Sequence, residues 1–157
     1  MIRLVFVALL LLAADTAFGA MDRITTLDTP AHRAVNRFLR GVNLGNYLEY
    51  PAGDPVATTT YNQSDLDLIR AQGFDHIRLP VGWHIGSGNA PLYTVSTALF
   101  GKADSLVNAA LARGLGVIVD WHHFDQFMTS PAANRDRFYA IWKQVASHYA
   151  SASEALA

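Results

Sequence analysis

Polar side chains suited to chemistry lie in or just after three short apolar segments of this chain. Asn43 lies in the first segment, Arg78 lies in the second, and Asp120 and His122 stand at the end of the third. Because side chains alternate along a strand, Arg78 faces away from its aliphatic neighbours, and Asp120 and His122 share one face. A guanidinium inside a fold needs an anionic or hydrogen-bonding partner. These residues could therefore bind and orient a polar substrate, or they could form an ordinary ion pair and a structural hydrogen bond.

The apolar segments have the length of β-strands, and helical patterns separate them. We predict strands at Gly41–Leu44, His76–Leu79 and Val117–Asp120. The first helix is predicted to start at Ser64, with Asp67 completing a capping box.

That first helix is expected to end at Gly73, the second at Gly114, and a third is expected to open at Asn134. Apolar residues recur at helical spacing and predict faces that pack on a sheet. They are Leu99, Ala103, Leu106, Val107 and Ala110 in the second helix, and Phe138, Ile141, Trp142, Val145 and Tyr149 in the third.

Strand and helix alternate with a regular period. Val42 precedes Ile77 by 35 positions, and Ile77 precedes Ile118 by 41. This alternation is typical of right-handed β-α-β units with a parallel sheet, in a (β/α)8 barrel or in a smaller open sheet of the flavodoxin type. Polar groups at three strand ends favour the barrel, whose active site lies at that edge. We predict an α/β fold at residues 40–157, the N-terminal part of a (β/α)8 TIM barrel with three to four β-α units, truncated before strand 4.

The first 20 residues are predicted to be a signal peptide. Arg3 precedes the apolar run Leu4–Ala14, and Ala17-Phe18-Gly19 offers a small-x-small cleavage site. The run is short for a membrane span, so a retained anchor is the weaker alternative. We therefore expect a secreted or periplasmic protein without membrane attachment after cleavage. Residues 21–39 are predicted to be an extended lead-in with a short helix.

Composition excludes several classes of function. A net charge of −1, from 12 basic and 13 acidic residues, offers no basic surface for nucleic acid and no polybasic membrane patch. The chain has no cysteine, which excludes disulfides, zinc–thiolate sites and thiol nucleophiles.

Three motifs in order resemble the first three strands of family-5 glycoside hydrolases, the group of endoglucanases, mannanases and relatives. The motifs are Arg40-Gly41-Val42-Asn43-Leu44-Gly45-Asn46, Gly73-Phe74-Asp75-His76-Ile77-Arg78-Leu79-Pro80-Val81 and Val117-Ile118-Val119-Asp120-Trp121-His122-His123. The resemblance covers Arg40 to about Tyr149. It implies an eight-stranded barrel enzyme of the retaining class that uses two glutamates and no cofactor, and we expect a monomer when the barrel is complete.

The resemblance also implies roles for individual residues. Arg78 matches the arginine of strand two that hydrogen-bonds the nucleophile, and His122 matches the histidine of strand three beside the bond that is cut. Asn43 and His123 are further candidates for substrate binding. Tyr47 and Trp83 are candidate ring platforms for a sugar, with ordinary packing as the alternative reading. These six residues form the predicted site.

The two catalytic glutamates that the resemblance implies have no match in this chain. Its only glutamates are Glu49 and Glu154, and neither lies in an Asn-Glu-Pro motif. Glu49 could contact a sugar or be an exposed loop charge. We expect the parent protein to hydrolyse a β-1,4-linked polysaccharide, a β-glucan first and a β-mannan second, and we expect the chain as given to be inactive.

Two other functions stay open at this point. Asp120, His122 and His123 could ligate a metal, which would make the protein a metal-dependent barrel hydrolase. The missing glutamates could alternatively indicate a catalytically silent fragment that binds carbohydrate.

Overall fold

The computed structural model describes residues 26–157. The predicted signal peptide and the first residues of the predicted lead-in lie outside the described residues. Among the residues that are described, no helix combines the length and the apolar character that crossing a membrane requires.

Helices and parallel strands alternate along the described chain. The elements in order are α1 (Pro30–Val35), β1 (Gly41–Asn43), α2 (Gln63–Ala71), β2 (His76–Val81), α3 (Thr97–Ala112), β3 (Gly116–Trp121), α4 (Asp125–Thr129) and α5 (Pro131–His148). The short helix expected in the lead-in is α1, in which Pro30 occupies the first turn and the side chain of Thr29 caps the helix.

The three strands form one parallel sheet in the order β1-β2-β3. Asn43 is opposite Arg78, and Arg78 is opposite Ile118, so these positions share one face. The predicted strands are thus found, with β2 and β3 extended to Val81 and Trp121.

A further parallel segment lies beside β3 at the position where the period predicts the next strand. Leu156 forms a parallel bridge with Val117. The Ala157 N–H donates to the Val117 carbonyl at 2.8 Å, and the Val119 N–H donates to the Ala157 carbonyl at 2.8 Å. The strand alternation therefore continues beyond β3.

The start of α2 differs from the sequence-based expectation. Asn62, not Ser64, is the N-cap, and its side chain accepts a hydrogen bond from the Ser64 N–H at 2.8 Å. Asp65, not Asp67, completes the capping box by accepting from the Asn62 N–H at 2.8 Å. Asn competes well with Ser at this position because its side-chain oxygen reaches the same N–H groups.

The last helix also starts earlier than the sequence predicts, and the short helix α4 was not predicted. α3 begins at Thr97 after the cap Ser96, and α5 begins at Pro131 rather than at Asn134. Proline fits the first turn of a helix, where its missing N–H costs nothing. At the C-terminal ends, Gly73 and Gly114 follow the C-cap residues of α2 and α3 and take positive φ angles of 81° and 70°, as predicted for terminating glycines.

The core lies between the sheet and the helices. Ile77, Leu79 and Val81 point to this layer from β2 and are fully buried, and four residues of the predicted stripe of α3 are buried there. They are Ala103, Leu106, Val107 and Ala110. The opposite face of the sheet carries Arg78 and is partly exposed to solvent. The candidate site lies on this exposed face.

Candidate functional site at the carboxyl ends of the strands

Four predicted side chains from three strands meet in one hydrogen-bonded network. The Arg78 guanidinium of β2 donates to Asn43 Oδ1 of β1 at 2.5 Å and to Asp120 Oδ2 of β3 at 2.5 Å. His122 Nδ1, just after β3, lies 3.0 Å from Asp120 Oδ2 and 3.1 Å from an Arg78 nitrogen. Parallel register brings these positions to one edge of the sheet, as the alternation predicts.

The network is accessible rather than sealed. About a third of each side chain is exposed, 34% for Arg78, 31% for Asp120 and 37% for His122. The carboxylate of Asp120 balances the guanidinium, and two partners hold the plane of Arg78 in place. The remaining N–H groups of Arg78 are therefore already oriented to donate to a further anionic group.

The proton on His122 depends on its two neighbours. An arginine only donates, whereas a carboxylate only accepts. If Nδ1 carries the proton, it donates to Asp120 and leaves Nε2 as an acceptor; if Nδ1 accepts from Arg78, Nε2 becomes a donor. Asp120 and Arg78 together thus set the hydrogen-bonding role that His122 can offer to a ligand.

The loop after β1 is organised by Glu49. This residue is 4% exposed, and its carboxylate accepts from the backbone N–H of Asn46 and, at 2.9 Å, of Tyr47. Asn46 takes a positive φ of 61°, which the Glu49 contact helps to hold. Glu49 is therefore not the exposed loop charge that the sequence allows; it fixes the turn that follows Asn43.

Tyr47 and Trp83, the two candidate ring platforms, lie in different surroundings. Tyr47 is half-buried and packs edge-on against Tyr61 at 6.0 Å between ring centroids. Trp83 is 0% exposed and packs against Phe100 of α3 at 5.1 Å. A fully buried ring offers no face to a sugar, so the prediction that Trp83 binds substrate is wrong; burial in the core satisfies its large apolar area instead.

His123 is exposed at the rim of the site. Its Nε2 lies 3.1 Å from the Tyr50 hydroxyl, and the two rings are 5.1 Å apart. The backbone of His123 has a positive φ of 55°, which is uncommon for a residue other than glycine. The His123 ring packs against the ring of its neighbour His122, with 4.2 Å between the ring centroids.

The described residues contain no group of three or more His, Cys, Asp or Glu side chains that could hold a metal ion. The metal-dependent alternative therefore has no ligand set in this part of the chain. Glu154, the other glutamate, forms an exposed ion pair with Arg37 at 2.5 Å. It directly precedes the segment beside β3, whereas the network lies at the opposite ends of the strands.

His84 belongs to the same rim, although it is not among the six residues predicted for the site. Its Nδ1 accepts from Trp121 Nε1 at 3.1 Å, and its ring stacks on Phe124 at 4.9 Å. Burial, and then the positive charge of Arg137, lower the pKa of His84 to about 4. The available signal in the sequence is its position, three residues after a buried parallel strand.

Comparison with known proteins supplies a family context for this geometry. The family described as Cellulase (glycosyl hydrolase family 5) matches residues 36–157. The chain is 30% identical to Endoglucanase H of Acetivibrio thermocellus over 122 residues, which cover 78% of this chain and 13% of that protein. It is 31% identical to Endoglucanase A of Ruminococcus albus over 148 residues, which cover 82% of this chain and 40% of that protein.

Solved structures agree in fold. The endoglucanase Cel5A from the hyperthermophilic Thermotoga maritima matches with a TM-score of 0.75 and 35% identity, covering 82% of this chain and 41% of that one. Structures of the same Cel5A in complex with cellobiose and with mannotriose match with TM-scores of 0.75 and 0.74. The chain thus spans about two fifths or less of the length of these relatives. The similarity confirms the predicted fold class, part of a (β/α)8 barrel, over the smaller open sheet.

Proposed function

The chain belongs to the cellulase family of glycosyl hydrolases, family 5, and on this basis we propose that its protein hydrolyses internal bonds of a β-1,4-linked glucan with retention of configuration. The observation that carries the proposal is the network of Asn43, Arg78, Asp120 and His122 at the carboxyl ends of three parallel strands. This is the edge of a barrel at which catalysis takes place.

Arg78 serves the reaction as an oriented cationic donor. Its guanidinium is held by Asn43 and Asp120, each at 2.5 Å. A cation in hydrogen-bond contact keeps a carboxylate ionised, and an ionised carboxylate is what a retaining hydrolase needs as its nucleophile. We propose that Arg78 holds the nucleophile, and that His122 hydrogen-bonds the sugar unit next to the cleaved bond.

We propose that Glu49, Glu154 and Asp120 are not the two carboxyl groups that break the bond. Retaining hydrolysis requires two of them about 5 Å apart across the bond. Within residues 26–157, Glu49 is occupied by its own loop, Glu154 pairs with Arg37, and Asp120 is paired with Arg78. We therefore propose that residues 1–157 alone release no sugar.

β-Glucan is the proposed substrate and β-mannan is the nearest alternative. The similar Cel5A of Thermotoga maritima has been solved with cellobiose and with mannotriose. Aromatic side chains, among them Trp121, Phe124 and Phe127, line the cavity that also contains Asp120 and His122, and such rings suit the faces of sugar units.

The test is reducing-end release from carboxymethylcellulose, barley β-glucan, mannan and xylan, measured with the protein that contains this chain and with residues 20–157 alone. We expect release from the glucans by the former only. No release from any of the four polysaccharides would refute the proposal. Turnover by residues 20–157 would refute the proposal about the carboxyl groups.

A catalytically silent carbohydrate-binding protein is the second candidate, because the carboxylates of Glu49 and Asp120 are already paired within the chain. The same assays separate the two functions: the silent protein would bind glucan oligosaccharides and release no reducing ends. Secretion by way of residues 1–20 is also proposed. It is tested by the N-terminal sequence of the protein recovered from the medium or periplasm, which we expect to begin near Ala20.

A further inference from the structure

His84 lies at the rim of the site, and the hydrogen-bonding role of one of its ring nitrogens is fixed by a neighbour. Trp121 Nε1 can only donate, and it lies 3.1 Å from His84 Nδ1. Nδ1 must therefore be the unprotonated nitrogen, and the neutral ring carries its hydrogen on Nε2. The indole of Trp121 thus fixes the tautomer of His84.

The ring of His84 is also fixed in direction. It stacks on Phe124 at 4.9 Å with an interplanar angle of 24°. Arg137 of α5 donates to the His84 backbone carbonyl at 2.7 Å, and its guanidinium lies 5.4 Å above the Phe124 ring. Both the backbone and the side chain of His84 are therefore held before any ligand arrives.

The Nε2–H of His84 has no hydrogen-bond partner among the residues that the structure describes, and the atom is not sealed from solvent. His84 lines a groove together with Tyr50, His123, Asp125 and Arg137. The His123 ring packs on the His122 ring with 4.2 Å between their centroids, so this groove adjoins the network. A donor of fixed direction is thus presented beside the site.

We infer that His84 is a substrate-binding residue, whose Nε2–H donates to a hydroxyl oxygen of a glucose unit that lies in this groove, away from the cleaved bond. The inference rests on the proposed function and deepens it. An uncharged donor on an aromatic stack matches the hydroxyl group of a neutral sugar better than it matches an anion.

The charged and titratable groups around the ring favour its neutral form. Arg137 and His123 disfavour a second positive charge, Asp125 favours it, and burial is the largest influence. The pKa of about 4 leaves the ring uncharged at neutral pH. The donor therefore stays the same throughout the pH range in which the carboxylates of such an enzyme operate.

The first test observes the tautomer directly. Long-range proton–nitrogen NMR of the labelled imidazole should show an unprotonated Nδ1 and a protonated Nε2 in His84, and addition of cellotetraose should shift the Nε2 signal. In Trp121→Phe, which keeps the stacked ring and removes the donor, a mixture of both tautomers is expected. A protonated Nδ1 in the unmodified protein would overturn the inference.

The second test measures the affinity for cellotetraose by calorimetry in the protein that contains this chain. His84→Phe keeps a ring on Phe124 and removes both nitrogens. We therefore expect the Kd to rise about threefold to tenfold, which is the change expected from the loss of one hydrogen bond. His84→Gln, which restores an N–H donor, should bring the Kd back to within about twofold. Thermal midpoints of both variants control for folding.

The outcomes separate this inference from the proposed function. Unmodified protein that binds neither cellotetraose nor mannotetraose would refute both. Normal binding that is unchanged in His84→Phe would refute the inference alone. An equal loss in the Phe and Gln variants would assign His84 a purely structural role and would likewise overturn it.

Discussion

Asp120 is the residue on which the polar network depends. It accepts from Arg78 and contacts His122 Nδ1 at 3.0 Å, so one carboxylate contributes both to the orientation of the guanidinium and to the hydrogen bonding of the imidazole. Asparagine at this position would keep the size of the side chain and remove its charge. Its amide also presents two N–H donors, of which neither can pair with an arginine.

We expect Asp120→Asn to lower kcat on β-glucan about tenfold to a hundredfold, because hydrogen bonds to charged groups contribute about 1.5–3 kcal/mol. Steady-state kinetics provide the measurement. Asp67→Asn is the matched control, since Asp67 also pairs with an arginine, Arg113, at 2.7 Å but away from the site. Equal activity of Asp120→Asn and the unmodified protein would show that the network has no catalytic importance.

His84 makes stability depend on pH in a defined window. Its pKa is about 4 in the folded protein and about 6.5 in the unfolded chain. Between these values the unfolded chain binds more protons, so the free energy of unfolding falls as the pH drops from 6.5 to 4 and is constant with respect to this group outside that window.

Because the ring is only half-buried, we expect a contribution of about 1 kcal/mol, discounted for solvent screening. Urea unfolding at pH 7, 5.5 and 4.5 measures it by comparison of the unmodified protein with His84→Gln, which has no titrating group. Parallel pH profiles for the two proteins would contradict the prediction.

At the scale of elements, α2 shows how a helix start is chosen among neighbouring polar residues. Asn62, Ser64 and Asp65 all carry suitable oxygens, and local pattern alone allows more than one pairing. The structure uses Asn62 and Asp65, which place the apolar Leu66 at 0% exposure in the core. Burial of Leu66 therefore fixes the rotation of the helix, and the rotation selects the cap.

Asn62→Ala should lower the free energy of unfolding by about 1 kcal/mol, the usual value of an N-cap. Ser64→Ala, at the position that the sequence pattern favours, should change it by less than about 0.5 kcal/mol. Chemical denaturation of both variants tests this pair. A larger loss in Ser64→Ala than in Asn62→Ala would restore the sequence-based assignment.

At the scale of the whole molecule, Trp83 joins the end of β2 to the helical layer. It is fully buried against Phe100, and its indole N–H has no hydrogen-bond partner among the described residues. The ring therefore contributes through its apolar area, while the unpaired N–H reduces that contribution.

Trp83→Ala should lower the free energy of unfolding by about 3–5 kcal/mol because a large cavity remains. Trp83→Phe, which keeps an aromatic ring and removes the unpaired donor, should lower it by less than half of that amount. Both variants are tested by measuring the denaturant midpoint of unfolding and the affinity for glucan oligosaccharides. A loss of affinity at unchanged stability in Trp83→Phe would return this residue to the binding surface.

Much of this protein follows from the sequence alone. The strand and helix alternation, the terminating glycines Gly73 and Gly114, and the shared face of Arg78, Asp120 and His122 follow from rules of periodicity and backbone conformation that act over a few residues. The family followed from three motifs in order. These properties are local, so they can be predicted without knowledge of distant contacts.

Tertiary structure alone decided which polar and aromatic side chains are buried or paired within the chain and which can contact a ligand. Trp83 and His84 are neighbours in sequence, yet packing buries the first and leaves the second lining the groove. Glu49 is occupied by its own loop, and the tautomer of His84 is set by Trp121, which lies 37 positions away. Burial and hydrogen-bond pairing depend on segments brought together by folding, and no local pattern encodes them.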